Sequence, residues 1–412
     1  MAAKELSINN NVTLLEADNR LGGRIHTLHD AGFTKPVEAG AEFIHGHLPL
    51  TLKLLKEANI NYNETGGEMY RFGDGVWKEA EGPMDGWGNL MKRMKELKED
   101  MTLLDFLDQY YNDEKYNRLR EWAKRFAEGF DAADPAKVSV IALRDEWMQE
   151  DNQQYRVAGG YSLLISHLEN ECKKNGCEIL INSHVKKAEW EKNKVTVHTA
   201  DNRQYHAEKV VITVSAGVLQ NTDTDNALII TPQVNGYITA INNIGYGGVI
   251  KVLLEFKNTF WDKYKDEIGF IISDQFMPTW WTQFPDDFPL LTGWLGGPKS
   301  TALCGEDDEI LLEKSMQSLC AIFGMTLNEL KHELIAGKVF NWPAHKYISG
   351  AYSYAMPGTA NALKTLNTPV EDTIYFAGEA LYNGPHPGTV EAALVSGKEA
   401  ADRIKYSFSN QI

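Results

Sequence analysis

Basic residues are short in this chain: 41 Lys and Arg stand against 57 Asp and Glu, a formal net charge of −16 over 412 residues. That deficit argues against nucleic acid, whose phosphates are bound through basic patches. It suits cationic ligands drawn in electrostatically, although acidic surfaces also serve solubility. Cysteine is rarer still. Cys172, Cys177, Cys304 and Cys320 show no C-x-x-C spacing, so neither a metal cluster nor a disulfide scaffold is indicated, and a reducing, cytoplasmic setting fits best. No apolar run approaches the length of a membrane span, and there is no low-complexity tract. Glycine is absent before Gly22.

What is present has the composition of a soluble enzyme, 43% hydrophobic and 24% charged, with room for two or three domains. The 10 Trp and 17 Tyr either line an aromatic cavity or fill cores. The organising stretch lies near the C-terminus. Thr373 to Phe376 reads as a short buried strand stopped by Gly378 and followed by Glu379. After the Gly384-Pro385-His386-Pro387 loop, apolar residues recur at Val390, Ala393, Leu394, Gly397, Ala401 and Ile404, a helical period opened by Gly388 and Thr389. A helix with so small a first turn can bring backbone N–H groups against a planar or anionic ligand. The bland alternative is the αβ terminus of any doubly wound domain.

From the start of the chain, Met1 to Ile8 has helical composition and Val12 to Glu16 reads as a strand ending in an acid. An acid closing the second strand of a βαβ unit binds the ribose hydroxyls of a dinucleotide; otherwise Glu16 is a surface residue at a strand end. The glycine fingerprint belongs about 20 residues before such an acid. Only fifteen residues precede Glu16, so if it is the ribose acid, the first strand and pyrophosphate loop lie upstream of Met1. Gly22 and Gly23 let the backbone pass close to a ligand, and Arg24 offers a planar donor fork suited to phosphate. Residues 50 to 150 read as mostly helical, with core stripes at Leu103, Leu104, Phe106, Leu107, Tyr110 and Tyr111 and at Trp122, Phe126 and Phe130. Strands follow over Glu178 to Ile181, Val185 to Trp190, Lys194 to Thr199 and Lys209 to Val214. Lys251 then interrupts an apolar strand. A buried ammonium is costly unless paired or useful, and on spacing alone an edge-strand lysine reaching solvent is the commoner explanation.

Three motifs taken together resemble the flavin-dependent amine oxidase family, which includes monoamine oxidases, polyamine oxidases and lysine-specific histone demethylases. They are Leu15-Glu16-Ala17-Asp18-Asn19-Arg20-Leu21-Gly22-Gly23-Arg24-Ile25-His26-Thr27, the turn Gly40-Ala41-Glu42-Phe43-Ile44-His45-Gly46, and the terminal Phe376-Ala377-Gly378-Glu379-Ala380 with Gly388-Thr389-Val390. The resemblance runs the length of the chain. It implies an α/β (α+β), two-domain fold: a Rossmann-like FAD domain from residues 1–49, 155–220 and 355–412, its first strand and glycine loop missing, and a mixed sheet-and-helix substrate domain from residues 50–154 and 221–354.

The resemblance also implies site roles. Glu16, Gly22, Gly23, Arg24, Val185 (through its backbone, at the adenine), Gly378, Glu379, Gly388, Thr389 and Val390 would hold FAD. Lys251 matches a lysine that holds a water against flavin N5. Tyr352 and Trp342 would wall the substrate site. Where monoamine oxidases carry a flavin-bonded Cys, this chain has Ala351, so the flavin is expected to be noncovalent. The second aromatic of their tyrosine pair falls on Thr389, which places the chain nearer the polyamine oxidases and histone demethylases. His45 is either a loop histidine bonded to backbone or a group that accepts a proton from, or hydrogen-bonds, the incoming amine. The implied reaction is oxidation of a primary or secondary amine, polyamines included, by hydride transfer to flavin N5. O2 reoxidises the flavin, giving imine or aldehyde and hydrogen peroxide; the partners are thus a small-molecule amine and O2, with no metal. Two alternatives remain: an N-terminally truncated, flavin-poor inactive relative, and a desaturase-, protoporphyrinogen-oxidase- or amino-acid-oxidase-like enzyme.

Overall fold

A computed structural model describes residues 1–79, 84–148, 153–222, 224–234 and 236–409 of the chain. They form a mixed α/β fold whose largest element is a seven-stranded sheet. Its order is Leu334–Asn341, Val249–Phe256, Leu290–Gly296, Thr279–Trp281, Ile268–Ser273, Glu68–Gly73 and Val76–Glu79. Val249–Phe256 is paired on both sides, Lys251 standing opposite Trp294 in one neighbour and Phe340 in the other. All eight of its residues are buried.

Alternation along a strand sends successive side chains to opposite faces. Ile250, Val252, Leu254 and Phe256 pack on one face against Leu311, Met316, Leu319 and Phe323 of the helix Asp308–Phe323. Leu253, on the other face, meets Phe33 and Val37, and Val249 meets Trp342 and Ala132. Lys251 and Glu255 belong to this second face, which looks toward residues 24–45. Both charges are paired there, Glu255 by the amide of Thr34 at 2.8 Å and by the Thr34 hydroxyl. The edge-strand reading of Lys251 is therefore overturned: the strand is interior and the lysine is 0% exposed.

Two short parallel sheets lie apart from the large one. Thr13–Leu15 pairs with Glu178–Leu180, and Val210–Ile212 with Ile374–Phe376. Leu6, Val12, Val211, Tyr375, Ala401 and Ile404 pack as one cluster between them. A four-stranded sheet runs Gln204–Ala207, Lys194–Thr199, Val185–Glu191, Ile229–Thr231. The helices Trp87–Glu96, Leu103–Tyr110, Asn117–Gly129 and Val140–Trp147 share a further core, built on Leu103, Phe106 and Leu107. Residues 68–79, expected within the helical stretch, instead form a hairpin at the sheet edge. Asp74 and Gly75 supply its turn with φ +51° and +74°, the Asp-Gly signature of a two-residue hairpin loop. Among the described residues, no helix is long and apolar enough to cross a membrane.

One contact fixes the C-terminal helix Val390–Ser409 against the helix Pro49–Glu57. Leu48, at the start of the latter, has no side-chain acceptor to offer its free amides. Glu391 supplies one from the other helix. Its buried carboxylate accepts from the amides of Leu50 (2.9 Å) and Thr51 (2.6 Å) and from the Thr51 hydroxyl (2.7 Å). Replacing Glu391 by Ala should therefore cost about 2–4 kcal/mol, measured by denaturant unfolding, because three donors lose a charged acceptor. An unchanged midpoint would show that water replaces the carboxylate there.

Candidate functional site

The glycine turn has a steric cause. Gly22 has φ +106°, and a Cβ there would sit 2.6 Å from the Ile25 carbonyl. Gly23, φ +57°, faces open space. Arg20 holds the turn from outside, donating to Gly23 O at 2.7 Å and Ile25 O at 3.1 Å. The turn delivers Arg24, which donates to Glu379 Oε1 at 2.7 Å and to the Ala351 carbonyl. Glu379 is buried and also accepts from the Ser353 hydroxyl at 2.7 Å. Three distant stretches, 20–27, 351–353 and 376–380, are thus pinned at one ion pair.

The terminal helix reaches the same place. Thr389 caps it, accepting from the Ala392 amide at 3.2 Å while donating to His386 O at 2.7 Å. The first-turn amides of Val390 and Glu391 are left without an intrahelical acceptor. Gly388, at φ +69°, lies where a Cβ would come within 3.2 Å of the Tyr352 ring. Gly378 donates its amide to Ser396 Oγ at 3.1 Å, tying the strand exit to the helix.

Glu16 and Val185 occupy another corner. The Ser183 amide donates to Glu16 O at 2.7 Å, and Val185 opens the next strand in register with Thr199. Burial pushes the Glu16 carboxyl up, against the pull of the Asp18 amide it accepts at 2.8 Å. Asp18 leads on to His345 at 3.7 Å, and His345 stacks on Trp342 at 5.6 Å. Trp342 donates its indole N–H to Ala39 O at 3.1 Å.

Lys251 is the centre of a buried charge cluster. Its Nζ donates to Glu42 Oε2 at 2.8 Å and Gly40 O at 3.1 Å, and sits 5.4 Å over the ring of Trp281. Glu42 Oε1 accepts from Arg156 Nε at 2.8 Å and Trp281 Nε1 at 3.0 Å. Burial pushes the Glu42 carboxyl up, but Lys251 and Arg156 outweigh it and bring it down to about 2.

Around the cluster, ring contacts close on themselves. Tyr352 stacks on Trp294 (6.4 Å), Trp294 meets Trp281 (5.7 Å), Trp281 meets Phe43 (5.5 Å), Phe43 meets His45 (5.8 Å), and His45 meets Phe130 (6.2 Å). The Tyr352 hydroxyl completes the circuit by donating to the Phe130 carbonyl. Burial and the nearby His386 lower His45 to about 4, so its imidazole is neutral. The Gln154 amide lies 3.3 Å from Nδ1; because that amide nitrogen can only donate, Nε2 carries the imidazole proton.

Sequence reasoning missed Glu42, Arg156 and Phe43, and took Phe130 for packing. The signal for Glu42 was the lysine itself, since an ammonium inside an apolar strand demands an acid. Two further acids went unnoticed: Asp131 and Glu146 face one another beside Phe130. So did Glu38, which accepts from the Tyr161 amide at 2.6 Å and is pushed up by burial to about 7.

A family model described as flavin containing amine oxidoreductase matches residues 1–405. Polyamine oxidase 4 of Oryza sativa subsp. japonica is 26% identical over 428 residues, covering 96% of this chain and 83% of that protein. Lysine-specific histone demethylase 2 of Homo sapiens is 25% identical over 437 residues, covering 95% of this chain; the chain spans 50% of that protein. It spans only 15% of lysine-specific histone demethylase 1 homolog 3 of Arabidopsis thaliana, at 27% identity over 60% of this chain. Among solved structures, putrescine oxidase bound to putrescine superposes with a TM-score of 0.80 at 17% identity, over 98% of this chain and 96% of that one. Cyclohexylamine oxidase from Brevibacterium oxydans does so with 0.80 at 17%, over 99% and 96%. At those identities the likeness shows the fold, and it is the α/β fold expected from the sequence.

The buried acids set a pH dependence. Glu38 and Glu146, each raised to about 7, and Asp131, also raised by burial and the charge of Glu146, favour protons in the folded chain that the unfolded chain has released. Stability should therefore fall as pH rises from about 5 to about 8. Glu42 acts oppositely: its contribution is present above the usual carboxylate range and is lost as pH falls toward about 2. Thermal unfolding across pH tests both limbs, and Glu38→Gln should flatten the upper one.

Proposed function

This chain belongs to the flavin containing amine oxidoreductase family, and from that premise we propose that it is an FAD-dependent oxidase of primary or secondary amines, polyamines included. The observation carrying this reading is the buried Lys251–Glu42 pair set inside a circuit of aromatic side chains, next to the Arg24–Glu379 anchor. The residues present fit a flavin dinucleotide. Glu16 would accept from ribose hydroxyls, the open backbone at Gly23 and the guanidinium of Arg24 would meet the pyrophosphate, and the amides at Val390 and Glu391 would face the electron-rich edge of the ring system. Ala351 is buried and has no nucleophile, so this position would offer the cofactor no covalent bond. When bound, a flavin supplies the two-electron acceptor for the C–N oxidation and passes the electrons to O2.

The chain's own residues do the rest. Tyr352, Trp342, Trp294 and Trp281 offer aromatic walls to the substrate and keep bulk water from the reacting carbon. His45, neutral and protonated at Nε2, is a hydrogen-bond donor rather than a base, suited to the lone pair of an amine that has already shed its proton. Lys251 uses two of its three donors on Glu42 and Gly40 and keeps one to hold a water where O2 is reduced. With a flavin bound, the amine would leave as an imine hydrolysed by water, and its two electrons would leave as hydrogen peroxide.

The purified chain should show flavin absorption at about 370 and 450 nm, and should release peroxide with members of a panel of mono-, di- and polyamines. A colourless, flavin-free protein would instead be an inactive relative, and peroxide from amino acids alone would mark an amino-acid oxidase. Lys251→Met should slow reoxidation by O2 by about 10²-fold while changing flavin reduction far less, measured by stopped flow. Equal slowing of both half-reactions would remove Lys251 from the oxygen step.

A further inference from the structure

The hairpin of Glu68–Gly73 and Val76–Glu79 ends the seven-stranded sheet, and its two faces differ in character. Tyr70, Phe72 and Trp77 turn to the apolar core beneath it. Alternation sends Met69, Arg71, Val76 and Lys78 the other way. Register sets Arg71 directly opposite Lys78, where like charges repel. Lys78 alone would be an ordinary guard against pairing at a sheet edge. A second cation beside it adds nothing to that purpose.

The helix Asn117–Gly129 brings more positive charge to the same place. Arg71 lies 5.9 Å over the ring of Trp122. Arg118 and Arg125, four residues before Trp122 and three after it, share its side of the helix. Burial, and then the charge of Arg118, lower the proton affinity of Arg71. Among the described residues none of Arg71, Lys78, Arg118 and Arg125 has an ion-pair partner, whereas every other arginine of the chain has one. Nearby acids are engaged elsewhere, Asp108 with Arg120 and Glu121 with Lys124. Glu128 feels the charge of Arg125 without pairing with it. A chain of net charge −16 thus keeps these cations together and uncompensated.

The same face of the sheet leads inward to Lys251. That lysine stands opposite Trp294, Trp294 opposite Thr279, Thr279 opposite Ile272, and Ile272 opposite Arg71. About 20 Å of sheet separates the ends of this row, beyond the reach of a small molecule held at Lys251, so the cluster is a surface of its own. Met69 at 45% exposure and Val76 at 51% lie beside it. Among the described residues, Val76–Glu79 has a neighbouring strand on one side only. Cations, exposed apolar side chains and an open backbone edge together fit an extended polypeptide. A long polyanion such as nucleic acid would instead run off the cluster onto the net negative remainder of the chain.

We propose that this face docks an acidic, extended segment of another polypeptide, paired along Val76–Glu79 with its carboxylates turned to Arg71, Lys78, Arg118 and Arg125. The test is fluorescence anisotropy with a fluorescein-labelled octapeptide of alternating Val and Glu. Its Val and Lys counterpart and a labelled oligothymidylate serve as comparisons. The wild type should bind the Glu peptide about tenfold more tightly than either, with affinity falling as salt rises. The double variant Arg118→Gln, Arg125→Gln changes exposed side chains only and should keep the thermal midpoint while weakening the Glu peptide about tenfold. Lys78→Glu should weaken it as well. No preference for the Glu peptide, or unchanged affinity in both variants, overturns the docking face. Tighter binding of the oligothymidylate would give the surface to nucleic acid, and a wild-type dimer that the double variant dissociates would give it to a second copy of this chain; either result overturns the proposal. None of these readouts involves flavin or amine, so the outcome is separate from that of the oxidase reading.

Discussion

A lysine with no exposed surface, at the centre of an apolar strand, is the constraint on which this structure depends. Removing an ammonium and a carboxylate from water costs several kcal/mol per ion, and attraction between them offsets that only with good geometry and further hydrogen bonds. Both conditions hold at Lys251 and Glu42. The pair is 2.8 Å apart, Gly40 takes a second lysine proton, and Arg156 and Trp281 fill the other carboxylate oxygen. This requirement fixes more than two side chains. Satisfying Lys251 draws the Gly40–Glu42 turn onto the large sheet, and the next three residues form the strand that carries Phe43 and His45. Arg156 comes from Gln154–Val157, the strand paired with it. One buried charge thus positions one wall of the aromatic circuit.

The Arg24–Glu379 pair plays the equivalent part at the other side. Its members are separated by 355 positions, and the Ser353 hydroxyl that shares Glu379 belongs to a third stretch, the one presenting Ala351 and Tyr352. Glu391 adds a fourth, by seating the terminal helix on Pro49–Glu57. The site is therefore assembled from segments that have no local reason to meet. Buried charges with one good geometry each supply the specificity that apolar packing, tolerant of small shifts, does not.

What could be read in the sequence follows from that division. Local chemistry was legible: the close-approach glycines Gly22 and Gly23, Thr389 at the opening of the terminal helix, the strand around Ile374, and the oddity of Lys251 all leave marks within a few residues. Partners were not. Glu42 is 209 positions from Lys251, and nothing near either states that they touch. The edge-strand reading failed for the same reason, because the strands flanking Val249–Phe256 arrive from Leu290–Gly296 and Leu334–Asn341. The hairpin over residues 68–79 was a different kind of miss: its Asp74-Gly75 turn was visible, but its register is fixed by pairing with Ile268–Ser273 far downstream. Trp122, Phe126 and Phe130 had the spacing of a core stripe, yet they stack in a ladder that ends at His45 with Phe130 at the surface.

Charge is distributed unevenly about the circuit, and that has a mechanistic consequence under the proposed reading. On one side two basic groups, Lys251 and Arg156, share the single carboxylate of Glu42, which their charge keeps ionised. On the other, Asp131 and Glu146 face each other, and burial raises both carboxyls. An ammonium is repelled by the first side, so under that reading the amine that reacts there is the neutral form. Neutral His45 adds no charge to that field and offers the reacting nitrogen a donor instead. Under the proposed reading the charge of the site selects the protonation state of the substrate, so no strong base is required beside the reacting carbon.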